Sequence, residues 1–236
     1  MDKFYRLFVN LEDLYKIEIN YKFTNILIIS DKKIDELKIF KEIKKIYEEI
    51  EYYSIKRPLF LSSLFPISFD NSSYFKEIFI YSNKTKIGPL AGIAGFFAKK
   101  ISEFIMREYF PNNLIIENGG DIFLKKERES KILIYAGDSP LSMKVGIKLP
   151  KGKYGIATSS KTVGHSISFG NADAVTVITE DPLISDFYAT YFGNMIKVDE
   201  DFEKVFKIAK RLKEIKGLVI ISKDKIGIYG VEIFKI

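Results

Sequence analysis

The sequence predicts an α+β fold built around a largely antiparallel sheet. Short strand-like segments follow one another closely enough along the chain to form hairpins. Between them lie segments with apolar residues every three or four positions, the spacing of amphipathic helices. Such a mixture is typical of α+β proteins. The 236 residues contain no repeat at a fixed short period and no clear linker, so we predict a single domain over residues 1–236.

The predicted elements run along the whole chain in mixed order. Alternating or wholly apolar runs predict strands at residues 4–9, 14–19, 26–29, 114–117, 122–124, 132–136, 143–149, 218–222 and 226–229. Helical spacing predicts helices over residues 31–56, 73–82 and 201–216, and one that begins at Pro89. The apolar face of the first helix is predicted to contain Ile34, Leu37, Phe40, Ile43, Tyr47 and Ile50.

Composition limits the chemistry that the protein can perform. There is no cysteine, which excludes disulfides, thiolate metal sites and a cysteine nucleophile. A single histidine excludes any site that needs two imidazoles. A bound metal should therefore be a hard cation held by oxygen atoms, and magnesium is the leading candidate.

The net charge of +6 suits an anionic ligand. It is weak support for nucleic acid, because the lysines are spread along the chain and no RNA-binding motif is present. The first residues contain no apolar segment of the signal-peptide kind, and no stretch is long enough to span a membrane. We therefore expect a soluble, cytoplasmic protein.

The stretch from residue 154 to residue 194 is the most informative part of the chain. It contains the only histidine, His165, in a loop rich in hydroxyls and glycine, followed by an apolar strand and a short helix. His165 could move a proton near neutral pH, and Thr158, Ser159 and Ser160 could bind an anion. The alternative is a hydroxyl-rich turn with a structural histidine.

Asp186 and Thr190 are four residues apart on the helix of this stretch and therefore lie on one face. A carboxylate and a hydroxyl placed in this way can give two oxygen ligands to one magnesium ion. The alternative interpretation is an acidic residue near a helix N-terminus and a threonine bonded back to its own helix.

Two glycine-containing segments are further candidates. Gly92 and Gly95 each cost a helix about 1 kcal/mol relative to alanine, which indicates close approach of another group to this turn. That group could be a phosphate at the helix N-terminus or a packed neighbour. The segment from Asn118 through Gly119 and Gly120 to Asp121 is either a plain hairpin turn or a turn that directs Asp121 at a ligand.

Three of these segments resemble the motifs of the ApbE-like proteins, the FAD:protein FMN transferases. Residues 89–95 resemble their glycine-rich helix start, residues 118–122 their G-G-D-I turn, and residues 186–190 their D-A-x-x-T metal motif. The match is closer to an uncharacterised ApbE-related branch found in archaea and anaerobic bacteria, whose motifs residues 117–122, 155–175 and 185–194 follow almost throughout.

The resemblance implies a T-fold-related α+β domain of two intertwined halves, with the site between them. It implies that Asp186, Thr190 and the main-chain carbonyl of Ala94 hold magnesium. Residues Gly92 to Gly95 would contact phosphate, and Asp121 and His165 would orient the ligand or move protons. The chemistry of the family is phosphoryl transfer, in which FMN passes from FAD to a target hydroxyl.

Two elements of the transferases are missing. Gly95 replaces their lysine, and the Asp-Pro pair that follows their histidine is absent after His165. The leading hypothesis is a protein that binds a divalent metal and a phosphate-bearing ligand, FAD or another nucleotide, with transferase chemistry of the phosphoryl or nucleotidyl type. The alternative is a binding or accessory module that acts through a protein partner. The sequence leaves homo-oligomerisation open.

Overall fold

The computed structural model describes residues 14–68, 74–161 and 169–236. The strands of these segments are β1 Tyr15–Tyr21, β2 Thr24–Ser30, β3 Leu114–Asn118, β4 Asp121–Lys126, β5 Ser130–Leu133, β6 Val145–Leu149, β7 Gly152–Ser159, β8 Ala174–Thr179, β9 Gly217–Ser222, β10 Lys225–Tyr229 and β11 Glu232–Lys235. The helices are α1 Glu36–Lys56, α2 Lys76–Thr85, α3 Ile93–Tyr109, α4 Pro182–Met195 and α5 Asp201–Ala209. A short 3-10 turn, Pro89–Gly92, leads into α3.

The described strands form two antiparallel sheets. The larger has eight strands in the order β1-β2-β3-β4-β7-β8-β9-β10, and the smaller has three in the order β11-β6-β5. Every recorded pairing in both sheets is antiparallel, which suits connections as short as two residues. The predicted α+β class with a mostly antiparallel sheet is therefore confirmed.

The two faces of the large sheet are covered differently. On one face, β1–β4 pack under α1, α2 and α3, while β7–β9 pack under α4 and α5. On the other face, Leu124, Ile156 and Val219 of the large sheet pack against Ile147 and Leu149 of the small one. Alternate residues of each central strand are thus buried on opposite faces, as near-continuous apolar strands require.

Four connections meet at one end of the large sheet because its neighbouring strands alternate in direction. Lys22 and Phe23 link β1 to β2, Gly119 and Gly120 link β3 to β4, and Lys223 and Asp224 link β9 to β10. The fourth connection links β7 to β8. The structure describes its residues 160, 161 and 169–173. This end of the sheet is called the turn end below.

The helices begin and end differently from the predictions. The first starts at residue 36, not at 31, because the side chain of Asp35 accepts hydrogen bonds from the N–H groups of Leu37 and Lys38 and caps it. Its buried face contains Ile39, Ile43, Ile46, Tyr47 and Ile50. Leu37 and Phe40, predicted to be buried, are exposed by 72% and 37%. The last helix ends at Ala209, well before the predicted residue 216.

Strand β7 and strand β11 were not predicted. Glycines and hydroxyls at both ends of β7 are typical of a loop, and only its pairing with β4 and β8 makes it a central strand. The predicted strand over residues 4–9 lies outside the described residues. No helix within the described segments has the length and the hydropathy needed to cross a membrane.

Candidate functional site

The β3–β4 turn is a two-residue turn in which Gly119 and Gly120 have φ of 68° and 103°. Both residues lie in the left-handed region that glycine adopts without strain, as the primed hairpin turns require. The hairpin interpretation of this segment is therefore confirmed. The same turn sets Asn118 and Asp121 directly opposite each other at the turn end of the sheet.

Asp121 and Asn118 face the helices. Their neighbours two residues away, Phe123 and Ile116, belong to the core beneath α1 and α3, and side chains two apart share a face of a strand. The side-chain N–H of Asn118 donates to the carbonyl of Ala94, at 3.2 Å, in the first turn of α3. Asp121 is 7% exposed. No described residue donates a hydrogen bond to its carboxylate or forms an ion pair with it.

Helix α4 brings Asp186 to the same place. The helix is capped by Asp181, whose carboxylate accepts from the N–H of Leu183 at 2.9 Å. One turn further, Oδ2 of Asp186 accepts from the backbone N–H of Gly95 at 2.9 Å. Thr190 follows one more turn along the same face, and both side chains are buried. A buried helix face that carries a carboxylate and a hydroxyl suits polar chemistry better than packing alone.

Two buried carboxylates therefore lie near each other, and none of the described residues places a cation beside them. Burial raises the pKa of Asp121 well above its ordinary value, and the charges of Asp186 and Glu117 raise it further. Burial also raises the pKa of Asp186, to about 7, although the hydrogen bond from Gly95 lowers it somewhat. The main physical cause is the cost of taking a charged carboxylate out of water, and at Asp121 repulsion from the neighbouring carboxylates adds to it. A cation or a proton shared at this point would relieve both effects.

Gly92 and Gly95 serve the packing of α3 against α4. A Cβ at Gly92 would lie 2.1 Å from the ring of Phe187. A Cβ at Gly95 would lie 2.4 Å from the carbonyl oxygen of Pro182 and 2.8 Å from the Cβ of Asp186. The group that approaches these two glycines closely is therefore helix α4. The N–H of Gly95 is already bonded to Asp186. The missing side chains at these positions leave room for α4 and not for phosphate.

The hydroxyl residues lie on two different faces. Thr158 pairs with Thr176, their hydroxyls 2.9 Å apart, on the face that carries Ile156 and the small sheet. Ser159, one residue on, has the opposite orientation and pairs with Val175 of the helix-side core. Ser160 is buried at the end of β7. The three therefore do not form one anion-binding loop within the described residues, and His165 lies outside them.

One groove joins these groups at the turn end. The described residues that line it enclose about 2090 Å³. On the helix side they include Ala94, Asp121 and Thr190. On the opposite side they include Thr158 and Thr176. This volume is well above the roughly 300–1,000 Å³ of ordinary small-molecule pockets, so a nucleotide would fill only part of the groove.

Two further residues contribute to the groove. Glu117 is 4% exposed, and its carboxylate accepts from the N–H of Gly120 at 2.7 Å, which holds the turn in place. In the sequence, a charged residue inside the apolar run of β3 could have identified Glu117 as a candidate. Asn194, one turn beyond Thr190, also lines the groove, and its side-chain oxygen accepts from the N–H of Phe169 at 2.9 Å. The spacing of four residues from Asp186 to Thr190 and from Thr190 to Asn194 could have identified Asn194, because residues so spaced share one helix face.

The donor set fits a hard cation in part. Asp186 has one carboxylate oxygen that does not bond Gly95, and the hydroxyl of Thr190 and the carbonyl of Ala94 are oxygen donors of the kind that magnesium prefers. Within residues 14–68, 74–161 and 169–236, no group of three or more His, Asp or Glu side chains is arranged to hold a metal. A magnesium ion here would therefore need oxygens from water or from a ligand, as it commonly has.

The comparisons with known proteins agree with these observations. A family model described as AbpE bacteria matches residues 8–214. The UPF0280 protein of Methanocaldococcus jannaschii is 37% identical over 229 residues, which cover 92% of this chain and 91% of that protein. The UPF0280 protein of Methanococcus vannielii is 39% identical over 233 residues, with the same two shares.

A solved structure shares the architecture. The flavin transferase ApbE from Vibrio cholerae superposes with a TM-score of 0.62 over 92% of this chain and 97% of that one, at 14% identity. At this identity the likeness shows the fold alone. The predicted family is confirmed by the length of the match and by the archaeal relatives: the chain belongs to the ApbE-related family described as AbpE bacteria, together with the UPF0280 proteins.

Proposed function

We propose that the protein binds a divalent metal ion, magnesium, together with a phosphate-bearing ligand, FAD or another nucleotide, at the turn end of the large sheet. The observation that supports this most is the pair of buried carboxylates, Asp121 and Asp186, beside which the described part of the chain places no cation. Asp121 lines the groove, as does Thr190 one turn along α4 from Asp186. Positive charge from a metal would offset their repulsion, and phosphate oxygens would complete its coordination.

The residues of the chain have separate tasks in this proposal. Asp186 is held by the N–H of Gly95 and would bind the metal with Thr190 and the carbonyl of Ala94. Asn118 fixes that carbonyl by donating to it. Asp121 would accept a proton or a donor group from the ligand. Magnesium at this point would supply charge for phosphoryl or nucleotidyl transfer. A transferase activity is in keeping with the name of the Vibrio cholerae protein, a flavin transferase.

The test is calorimetric titration of magnesium with FAD, and separately with ATP, into wild type and Asp186→Asn. We expect magnesium-dependent binding in wild type and at least a tenfold loss in the variant, which keeps the size and the Gly95 hydrogen bond. Glu180→Gln is the matched control, since Glu180 is an exposed carboxylate near the start of α4. Absence of binding in all three proteins, or equal binding in all three, would overturn the proposal.

A second candidate is an accessory module that acts through a protein partner. Three large apolar side chains near the mouth of the groove favour it. Phe65 is 72% exposed, Leu90 is 51% exposed and Leu64 is 47% exposed, and all three line the groove. Their loops touch, because the N–H of Gly88 donates to the carbonyl of Leu64 at 2.9 Å. Exposed apolar groups on adjoining loops are typical of an interaction site.

A partner purified on wild-type protein decides between the two candidates. The accessory module predicts that Phe65→Ser with Leu90→Ser abolishes the complex and that Asp186→Asn leaves it intact. If the double variant retains the partner, this second candidate is wrong. Magnesium-dependent turnover of FAD or ATP by purified wild type would also favour the transferase.

A further inference from the structure

The end of α1 forms an exposed corner of the molecule. Ile55, Lys56, Arg57, Pro58 and Leu59 are five consecutive exposed residues. The two apolar side chains at its ends, Ile55 and Leu59, are exposed by 81% and 60%. A helix that lies along a core buries a residue every three or four positions, so such a run is typical of a part of the chain that protrudes.

The backbone of this corner is held in place by the residues that follow it. Phe60 is fully buried, and its ring centroid lies 4.8 Å from that of Phe75. The N–H of Phe60 donates to the carbonyl of Arg57 at 2.9 Å, and the N–H of Ser63 donates to the carbonyl of Leu59 at 2.9 Å. The apolar side chains of the corner therefore face water from a fixed backbone, and a partner from outside the chain would remove them from water.

Two neighbouring segments extend the corner. Leu64 and Phe65 follow in the same loop and are 47% and 72% exposed, and Leu90, in the 3-10 turn before α3, is 51% exposed. The N–H of Gly88 donates to the carbonyl of Leu64 at 2.9 Å and joins the loop to this turn. Exposed apolar side chains gathered in this way mark a protein or membrane contact. The corner surface is defined here as residues 55–59 with Leu64, Phe65, Lys86 and Leu90.

The charges of the corner surface are all positive. Residues 52–68 and 78–102 contain no aspartate or glutamate, although the chain has 31 of them. Lys56, Arg57 and Lys86 are exposed, and none of the three forms an ion pair with a described residue. The acidic residue that comes just before this part of α1, Glu51, is ion-paired with Lys22. The corner surface thus combines unpaired cations with exposed apolar groups.

We propose that the corner surface binds an anionic phospholipid bilayer and lies at the level of its headgroups. Lys56, Arg57 and Lys86 would contact headgroup phosphates, while Ile55 and Leu59 would enter the boundary of the acyl chains. A protein partner would need a wholly acidic face to match these charges, whereas an anionic bilayer presents one everywhere.

An aromatic residue beside the corner supports a bilayer as the partner. Tyr52 is 58% exposed, and Nζ of Lys56 lies 4.0 Å from the centroid of its ring. Tyrosine and lysine side chains have an apolar body and a polar end, which suits the interface between lipid and water. The proposal goes beyond the proposed function and does not depend on it. Because four residues of the corner surface also line the groove, binding would bring the groove to the bilayer.

The test is cosedimentation of the protein with lipid vesicles. Wild type should bind vesicles of phosphatidylcholine and phosphatidylglycerol in equal parts, should not bind phosphatidylcholine alone, and should bind more weakly as salt is added. Lys56→Gln with Arg57→Gln should lower the affinity for the anionic vesicles about tenfold. Ile55→Ser with Leu59→Ser should lower it by about the same factor, because the apolar contact is lost.

Lys210→Gln with Arg211→Gln is the matched control. These are also adjacent exposed cations, and Lys210 lies over the ring of Tyr229 at 5.8 Å much as Lys56 lies over that of Tyr52. The control removes the same charge and should keep the affinity within about twofold of wild type. All the replaced side chains are exposed, so the fold should persist, and thermal unfolding of each variant checks this.

Three outcomes would overturn the proposal. The first is a wild type that does not sediment with the anionic vesicles. The second is an equal loss in the control and in the corner variants, which would mean that only net charge matters. The third is a dimer or a protein complex that the Ile55→Ser and Leu59→Ser variant abolishes while its vesicle binding is unchanged, which would make the surface a protein interface. None of these affects the proposed function, which is tested by titration without lipid.

Discussion

The backbone N–H of Gly95 donates to Oδ2 of Asp186 across the interface between α3 and α4, at 2.9 Å. One residue of α3 thereby positions the acid of the proposed metal site. The bond is possible only because glycine lets the two helices approach to this distance, since a Cβ there would overlap Pro182 and Asp186. Packing and chemistry thus depend on the same residue.

Replacement of Gly95 by alanine should destabilise the protein by about 2 kcal/mol, because the added methyl group forces α4 away from α3. Urea unfolding measures the change. The control is Gly152→Ala, where the nearest atoms to a new Cβ belong to the far end of a side chain, the ring of Tyr154 at 3.0 Å, and not to the backbone. A Gly95→Ala protein as stable as this control would contradict the packing role.

Stability of the metal-free protein should fall as the pH rises from about 4 to about 7. Burial raises the pKa of Asp121 and brings that of Asp186 to about 7, whereas both carboxyls titrate near pH 4 in the unfolded chain. Over that interval the folded state holds more protons than the unfolded state, so the free energy of unfolding decreases as the pH rises.

The pH effect is measured by urea unfolding in EDTA at several pH values. Wild type is compared with the double variant Asp121→Asn and Asp186→Asn, which cannot titrate at these positions. The difference between the two stability profiles isolates the pair from other ionisable groups. For Asp186 alone it should amount to about 4 kcal/mol over the interval, since one pKa unit corresponds to about 1.4 kcal/mol. Parallel profiles for the two proteins would show that the pair does not titrate in this range.

Magnesium should raise the unfolding temperature of wild type more at pH 8 than at pH 5, because the carboxylates must be deprotonated to bind it. Thr190→Val should lose most of this increase while it keeps the shape of the side chain. Thr85→Val is a suitable control, since that buried threonine bonds the carbonyl of Tyr81 within α2 and is not one of the residues that line the groove. An equal magnesium effect in both variants would argue against the metal role of Thr190.

Lys99 should matter for stability. Its side chain is 12% exposed and forms ion pairs with Asp181 at the start of α4, with Glu77 of α2 and with Glu103 of α3. Lys99→Met leaves the Asp181 carboxylate without its cation in a largely buried position, so we expect a loss of about 2 kcal/mol in urea unfolding. Lys44→Met, which removes an exposed pair with Glu48, should change stability by less than about 0.5 kcal/mol.

The sequence by itself determined the fold class, the family and the identity of the acidic helix. These depend on local information: polarity that alternates along strands, spacing along helices, and short motifs whose order is readable without coordinates. Asp186 and Thr190 share a face of α4 because any helix places residues four apart together. The Gly119–Gly120 turn was equally readable, because two glycines between apolar runs favour a hairpin.

Only the tertiary structure decided which of these residues meet. Gly92 and Gly95 pack against α4, Asp121 lies near enough to Asp186 for its charge to act on it, and Thr158 lies on the opposite face of the sheet. Each of these relations joins segments far apart in the chain, and a sequence contains no distance between such segments. The register of β3 with β4 and of β7 with β8 fixes which way every side chain points, because a shift of one residue would reverse all of them.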